Sequence, residues 1–164
     1  MPHQLTANVK LLQKIAIVRH NQAGQPEVLV LQRSDAASSR PGAWDLPGGN
    51  SEWPETAVSQ ANLHLRDVSR ELQEETGLQL DENELNLSKI THLSTYFAAD
   101  KQIYTVIVGW MVDFTNTDQA EIQLSAEHQR FAWVTQDQLA RYDFGGAAGS
   151  FVLEMIAQAF VSFS

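Results

Sequence analysis

Cysteine is absent from the chain. That absence excludes disulfides, zinc–thiolate sites, iron–sulfur clusters and a cysteine nucleophile. Basic residues are scarce: 11 Lys and Arg stand against 20 Asp and Glu, a formal charge of −9. Binding to nucleic acid or to an anionic membrane is driven by Lys and Arg, so neither is an expected partner. An acidic protein of this kind meets anions through divalent cations instead. No stretch approaches the roughly 18 apolar residues of a membrane span. The N-terminal MPHQLTANVKLLQKIAIVRH has no basic–apolar–small signal layout, so the expected setting is cytoplasmic. The five histidines show no H-x-x-H or H-E-x-x-H spacing, and there is no G-x-S-x-G element. Gly145-Gly-Ala-Ala-Gly-Ser150 lacks the Gly-Lys-Ser/Thr of a phosphate loop and reads as a connector.

What remains is a chain of 164 residues, 43% of them hydrophobic, with no repeat and no Pro/Gly/Ser linker. One domain over residues 1–164 is the expectation. Lys14–His20 (KIAIVRH) and Glu27–Gln32 (EVLVLQ) are short apolar runs around a turn with Gly24 and Pro26, and predict a hairpin. From Pro54 to Thr76 the period changes. Ala57, Ala61, Leu65, Val68 and Leu72 form one helical stripe, Pro54 suits the first turn and Gly77 the stop. Leu85–Ala98 is strand-like, and Gln102–Phe114 is the most apolar strand and an expected central one. Arg130–Val134 predicts another strand, Thr135 caps a short helix through Tyr142, and Phe151–Phe163 predicts a terminal apolar helix. The order points to an α+β sandwich.

The densest chemical signal is Arg70-Glu71-Leu72-Gln73-Glu74-Glu75-Thr76-Gly77-Leu78. On a helix, Glu71 lies three residues from Glu74 and four from Glu75, so all three carboxylates share one flank beside the apolar stripe. Crowded carboxylates repel by ~1 kcal/mol or more per close pair. A hard divalent cation relieves that repulsion, and oxygen-only ligation suits Mg²⁺ or Mn²⁺. A bare E-x-x-E-E is most often a solvated face. Here an Arg precedes it, a Gly terminates it, and Pro47-Gly48-Gly49 precedes the helix.

Those residues carry a resemblance. Gly49, Glu55, Arg70, Glu71, Leu72, Glu74, Glu75, Gly77 and Leu78 resemble the box of the Nudix (MutT-like) hydrolases, G-x5-E-x7-R-E-U-x-E-E-x-G-U with U aliphatic. The lead-in Arg40-Pro-Gly-Ala-Trp-Asp-Leu-Pro-Gly-Gly49 and the tail around Ser125-Ala-Glu127-His128 and Trp133 extend it over roughly residues 12–160. One departure stands out: 14 residues separate Glu55 from Arg70, where the pattern has seven. Seven extra helical residues nearly keep the facing direction but shift Glu55 by about 10.5 Å along the axis. Either the insert loops Glu55 back, or Glu55 has lost its role. An ungapped box would place the Glu at position 62, which is Asn, and Glu52 is a rival to Glu55.

The resemblance implies an α-β-α sandwich with a mixed sheet and a catalytic loop-helix. It implies an Mg²⁺- or Mn²⁺-dependent pyrophosphohydrolase acting on a small nucleotide substrate, as a monomer or a homodimer. Glu71, Glu74 and Glu75 would ligate metal, with Glu55 and the backbone at Gly49 as further candidates. Arg70 would orient the loop–helix junction and hold a carboxylate. Glu127 is the candidate general base and Glu121 the runner-up. Arg33 and Arg40 are candidates for substrate phosphates or else plain surface arginines. Trp44 is a candidate for stacking on a base or else packing under the loop. Nucleoside triphosphates, dihydroneopterin triphosphate, ADP-ribose, dinucleoside polyphosphates and nucleotide sugars all remain possible substrates. A nucleotide-metabolite binder without turnover is the rival reading.

Overall fold

The computed structural model describes residues 8–53, 64–115 and 121–163. Six strands form one mixed sheet: β1 (Asn8–His20), β2 (Pro26–Arg33), β3 (Trp44–Asp45), β4 (Ile90–Ala98), β5 (Ile103–Asp113) and β6 (His128–Thr135). The helices are α1 (His64–Thr76) and α2 (Ser150–Phe163). The order β3-β2-β1-β5-β4, with β6 also on β2, makes β5 a central strand, as its apolar run predicts. β1 and β5 run parallel; the other paired strands are antiparallel.

The period of two assigns the layers. Ile15 and Ile17 of β1, Leu29 and Leu31 of β2, and Trp110 and Val112 of β5 face Val68 and Leu72 of α1. The residues between them, Ala16, Val18, Val28, Val30 and Met111, face Val152, Met155, Ile156, Ala159 and Phe160 of α2. Alternate side chains of a strand point to opposite faces, so near-continuous apolar runs demand cover on both sides. The α-β-α layering expected from the sequence is the one found.

Several local expectations shift. The first strand is longer than its apolar run because β5 pairs with it from Asn8 to Val18. Leu85–Ala98 is strand only from Ile90; Asp81 and Asn86 accept backbone N–H groups of Asn83 and Ser88 at 2.9 and 3.0 Å and set two 3₁₀ turns first. Such side chains compete locally with a strand ladder. The short helix after Thr135 is a 3₁₀ segment, Gln136–Arg141. The first part of the expected Pro54–Thr76 helix lies outside the described residues; its end, before the left-handed Gly77, is where expected. Gly146–Phe163 does reach the length and hydropathy of a membrane span, contrary to expectation. Its first four residues are a 3₁₀ turn, and one face of α2 is spent on the sheet.

β1 has an unusual second edge. It pairs with β2 only from Val18 to His20, after which β2 turns to β3 and β6. The vacated edge is filled by the segment 47–51. Ile15 N–H donates to Pro47 O and Gln13 N–H to Gly49 O, both at 2.9 Å, while Ser51 N–H donates to Leu11 O at 2.8 Å. Buried backbone donors must find partners, and here a loop supplies them.

Leu72 is fully buried between α1 and the sheet. Leu72→Ala should cost about 2–5 kcal/mol of folding free energy, read as a lowered urea midpoint at unchanged slope.

Candidate active site

The glycine pair at the end of this loop faces the acidic flank of α1. Gly48 has φ +122°, and a Cβ on it would lie 2.2 Å from Gln13 O, so only glycine fits. Its N–H donates to Glu75 Oε2 at 2.7 Å. A Cβ on Gly49 would lie 2.8–3.0 Å from the Glu71 carboxylate, so the missing side chain keeps that space open. Thus Glu71 and Glu75, four residues apart on one helix, each meet one of two adjacent glycines.

Arg70 organises the exposed side of this flank. It donates to Glu74 at 2.9 Å, Glu71 at 3.0 Å and Asp67 at 3.3 Å, and its guanidinium lies 3.8 Å from Glu52 in the loop. Glu74 is turned outward onto Arg70 and is more than half exposed. Glu52, the rival to Glu55, is itself exposed, with its N–H on Asp67 at 3.2 Å. Glu55 lies outside the described residues.

The segment before β6 docks on the end of α1. Gln123 N–H donates to Thr76 O at 2.8 Å and Ser125 N–H to Glu75 O at 3.4 Å, satisfying carbonyls that a helix terminus leaves unpaired. That docking brings in Glu127 and His128. The exposed Glu127 lies near enough for its charge to act on Glu71. His128 is buried with Nε2 3.9 Å from Glu75 Oε1, and its Nδ1 meets no hydrogen-bond partner among the described residues. Glu121 is exposed near the start of the segment.

The site has a cationic counterpart behind the loop. Asp45 is fully buried, and its Oδ2 accepts from Arg40 at 2.6 Å, Lys14 at 3.1 Å and Arg33 at 3.3 Å. Its Oδ1 accepts from Leu46 N–H at 2.8 Å. Burial alone would raise the Asp45 pKa; the three cations, led by Lys14, more than reverse this and lower it. Both candidate arginines, Arg33 and Arg40, reach Asp45 with their guanidiniums, because a buried carboxylate needs compensating charge. Trp44 takes its packing alternative, edge-on to Tyr142 at 4.9 Å and against the α2-side core. Lys14 and Asp45 were missed. A lysine at the head of the apolar run 14–18 was the available signal for the first.

Burial and the neighbouring carboxylates act in the same direction on the acidic flank. Burial raises the Glu75 pKa to about 7, with Lys14 and the Gly48 N–H opposing the rise and Glu71 and Asp45 adding to it. Glu71 is raised in the same direction, by burial first, against the pull of Arg70. Burial lowers the His128 pKa, so its imidazole is neutral at pH 7.

The residues present fit a hard divalent cation. Carboxylate oxygens of Glu71 and Glu75 meet at a glycine pair, while Glu74 is held by Arg70. Among the described residues no three acidic or histidine side chains are grouped so as to hold a metal ion. An ion such as Mg²⁺ would keep waters and take one or two carboxylates together with substrate phosphate.

Comparison with known proteins gives a consistent picture. The family model of the NUDIX domain matches residues 10–154. The nucleoside triphosphatase NudI of Escherichia fergusonii is 31% identical over 128 residues, covering 73% of this chain and 80% of that protein. The asymmetrical bis(5'-nucleosyl)-tetraphosphatase of Rattus norvegicus is 32% identical over 120 residues, 71% of each. Among solved structures, the NUDIX domain of Shewanella oneidensis NrtR, complexed with ADP ribose, superposes with a TM-score of 0.67 at 19% identity, covering 98% of this chain and 91% of that one. A MutT NUDIX hydrolase from Burkholderia pseudomallei superposes with a TM-score of 0.64 at 21% identity, covering 91% and 98%.

The Glu75 proton predicts a pH dependence of the metal-free protein. A carboxyl whose folded pKa is raised stabilises the fold below its unfolded value, near 4.5, and loses that contribution as pH rises through about 7. Between pH 5.5 and 8, folding stability should fall by about 2 kcal/mol from this group. Glu75→Gln, which keeps an acceptor for Gly48 N–H, should flatten that decline in urea titrations at the two pH values. Asp45 acts at the opposite end: its lowered pKa stabilises above 3.8 and is lost only in stronger acid.

Proposed function

Because the chain belongs to the NUDIX domain family, whose members include the nucleotide hydrolases named above, we propose that this Nudix hydrolase is a divalent-metal-dependent pyrophosphohydrolase. Its substrate is a nucleoside diphosphate linked to a further moiety, a nucleoside triphosphate or a nucleotide conjugate. The observation that carries the reading is the meeting of Glu71 and Glu75 at Gly48-Gly49, with Gly49 keeping the space a side chain would fill.

In this reading Glu71, Glu74 and Glu75 hold Mg²⁺ or Mn²⁺, with the backbone at Gly49 alongside. When bound, such an ion neutralises phosphate charge and acidifies water. The chain's own residues do the rest. Arg70, which donates to Glu71, Glu74 and Asp67, orients the carboxylates of this flank. Gly48 N–H fixes the Glu75 carboxylate. Glu127, carried beside Glu71 by the docked segment, accepts the proton of the attacking water; Glu121 is second choice. Water adds to one phosphorus of the pyrophosphate, and the bridging P–O bond breaks. Arg33, Arg40 and Trp44 take no substrate role here, because Asp45 and the core engage them. Glu55 keeps a ligand role only if the segment 54–63 returns it to the flank.

A second reading has one observation in its favour. The spacing of 14 residues between Glu55 and Arg70 departs from the family box, and it favours a nucleotide-metabolite binder with little turnover.

A phosphate-release screen over nucleoside polyphosphates and conjugates, with Mg²⁺ or Mn²⁺ and then with EDTA, separates the two. Metal-dependent cleavage of any member is the expected result. Silence from protein that still binds nucleotide would establish the second reading. Glu74→Gln and Glu75→Gln should each lower kcat by about 10²-fold, or about 2.7 kcal/mol, with the fold intact by circular dichroism. Near-normal turnover in both would refute the metal assignment. Gly49→Ala should lower turnover as well, since its Cβ would press on the Glu71 carboxylate.

A further inference from the structure

Lys14 is buried, 4% exposed, in the middle of β1. Its ammonium has three protons and three acceptors: Gly48 O at 2.8 Å, Leu46 O at 3.1 Å and Asp45 Oδ2 at 3.1 Å. Asp45 is also met by Arg40 and Arg33, so Lys14 is one of three cations on that single charge. A strand buried on both faces would also accept an apolar side chain at this position at lower desolvation cost. What Lys14 alone supplies is the bond to two loop carbonyls.

Those two carbonyls complete a pattern. Pro47 O and Gly49 O accept from the backbone N–H groups of Ile15 and Gln13. Leu46 O and Gly48 O accept from the Lys14 side chain. Four consecutive carbonyls, 46 to 49, are therefore held by three consecutive residues of β1, with backbone and side chain taking alternate ones. The far end of the loop is tied as well: Trp110 Nε1–H donates to Gln13 Oε1 at 3.0 Å, and Gln13 Nε2–H to Ser51 Oγ at 2.7 Å. The Gly48 N–H that meets Glu75, and the Gly49 position that abuts Glu71, lie between these fixed planes.

We propose that Lys14 is a positioning residue of the metal site, clamping the Leu46 and Gly48 carbonyls so that the glycine pair presents itself to Glu71 and Glu75. Without it, every second peptide plane of the loop loses its anchor, and the carboxylates face a loop free to rotate. The proposal rests on the metal-site reading above. It concerns a residue outside the acidic box, on the opposite side of the loop from the carboxylates.

The test uses the full chain and Mn²⁺ alone, titrated by electron paramagnetic resonance, alongside steady-state kinetics. Lys14→Met removes the donors at similar volume. Lys14→Arg keeps a cation for Asp45, but its planar fork cannot reach all three acceptors at once. Both variants should bind Mn²⁺ at least fivefold more weakly. Both should lose kcat about tenfold or more, with KM for the nucleotide changed less than threefold. Because the chain has no cysteine, Lys14→Cys can be alkylated in denaturant with bromoethylamine and refolded. The restored ammonium should recover most of the Mn²⁺ affinity, which a general loss of stability would not. Asp45→Asn is the contrast, expected to lower stability more than it lowers Mn²⁺ affinity.

Wild-type Mn²⁺ affinity in folded Lys14→Arg or Lys14→Met would overturn the clamp. So would failure of both to fold without rescue by the alkylated variant, which would leave Lys14 a folding residue only. Failure of the enzymatic reading is distinguishable: the wild type would show no metal-dependent cleavage, while the Mn²⁺ comparison would still report on the loop.

Discussion

The second edge of β1 governs the geometry of this protein. A strand buried within a sheet must satisfy donors and acceptors on both edges. β1 is served by β5 along one edge, but β2 leaves the other after three residue pairs. The loop 47–51 completes that edge, and in doing so it acquires a fixed path across the mouth of α1. The left-handed Gly48 and the crowded Gly49 follow from that path. Placement of the glycine pair against Glu71 and Glu75 is therefore a consequence of strand pairing, not of the loop's own preferences.

Charge is segregated around this loop. On one side lies a buried carboxylate with three cations, Asp45 with Lys14, Arg33 and Arg40. On the other lies an acidic flank whose arginine, Arg70, is shared among Glu71, Glu74, Asp67 and Glu52. The first cluster is largely buried and carries an excess of positive charge, three cations to one carboxylate. The second is half open, and burial raises the proton affinity of Glu71 and Glu75 in it. An unbalanced acidic surface of this kind favours either protons or a hard cation.

Much of this was legible in the residue order. The apolar runs in Lys14–His20 and Glu27–Gln32, and the helical stripe through Val68 and Leu72, are local signals, and the layers follow from them. The flank shared by Glu71, Glu74 and Glu75 is legible for the same reason, since residues three and four apart on a helix are neighbours in any fold. The family resemblance added the metal and the reaction class. The contact of Arg33 and Arg40 with Asp45 was not legible in the residue order, because the burial of that aspartate has no periodic signature. Local reasoning also read strand from Leu85, where Asn86 caps a 3₁₀ turn over Leu87–Lys89 and the strand begins only at Ile90.

The sequence by itself determined the elements, their apolar faces and the carboxylate cluster, because each depends on spacings of two, three or four residues. Only the tertiary structure decided which backbone the cluster would face. The pairing of Lys14 with Asp45 and the Gly48 carbonyl, and of His128 with Glu75, joins residues far apart in the chain. Those encounters depend on which edge β1 leaves open and on which segment docks at the end of α1. Both are settled by the hydrogen bonds that buried backbone groups require, and no local spacing records that requirement.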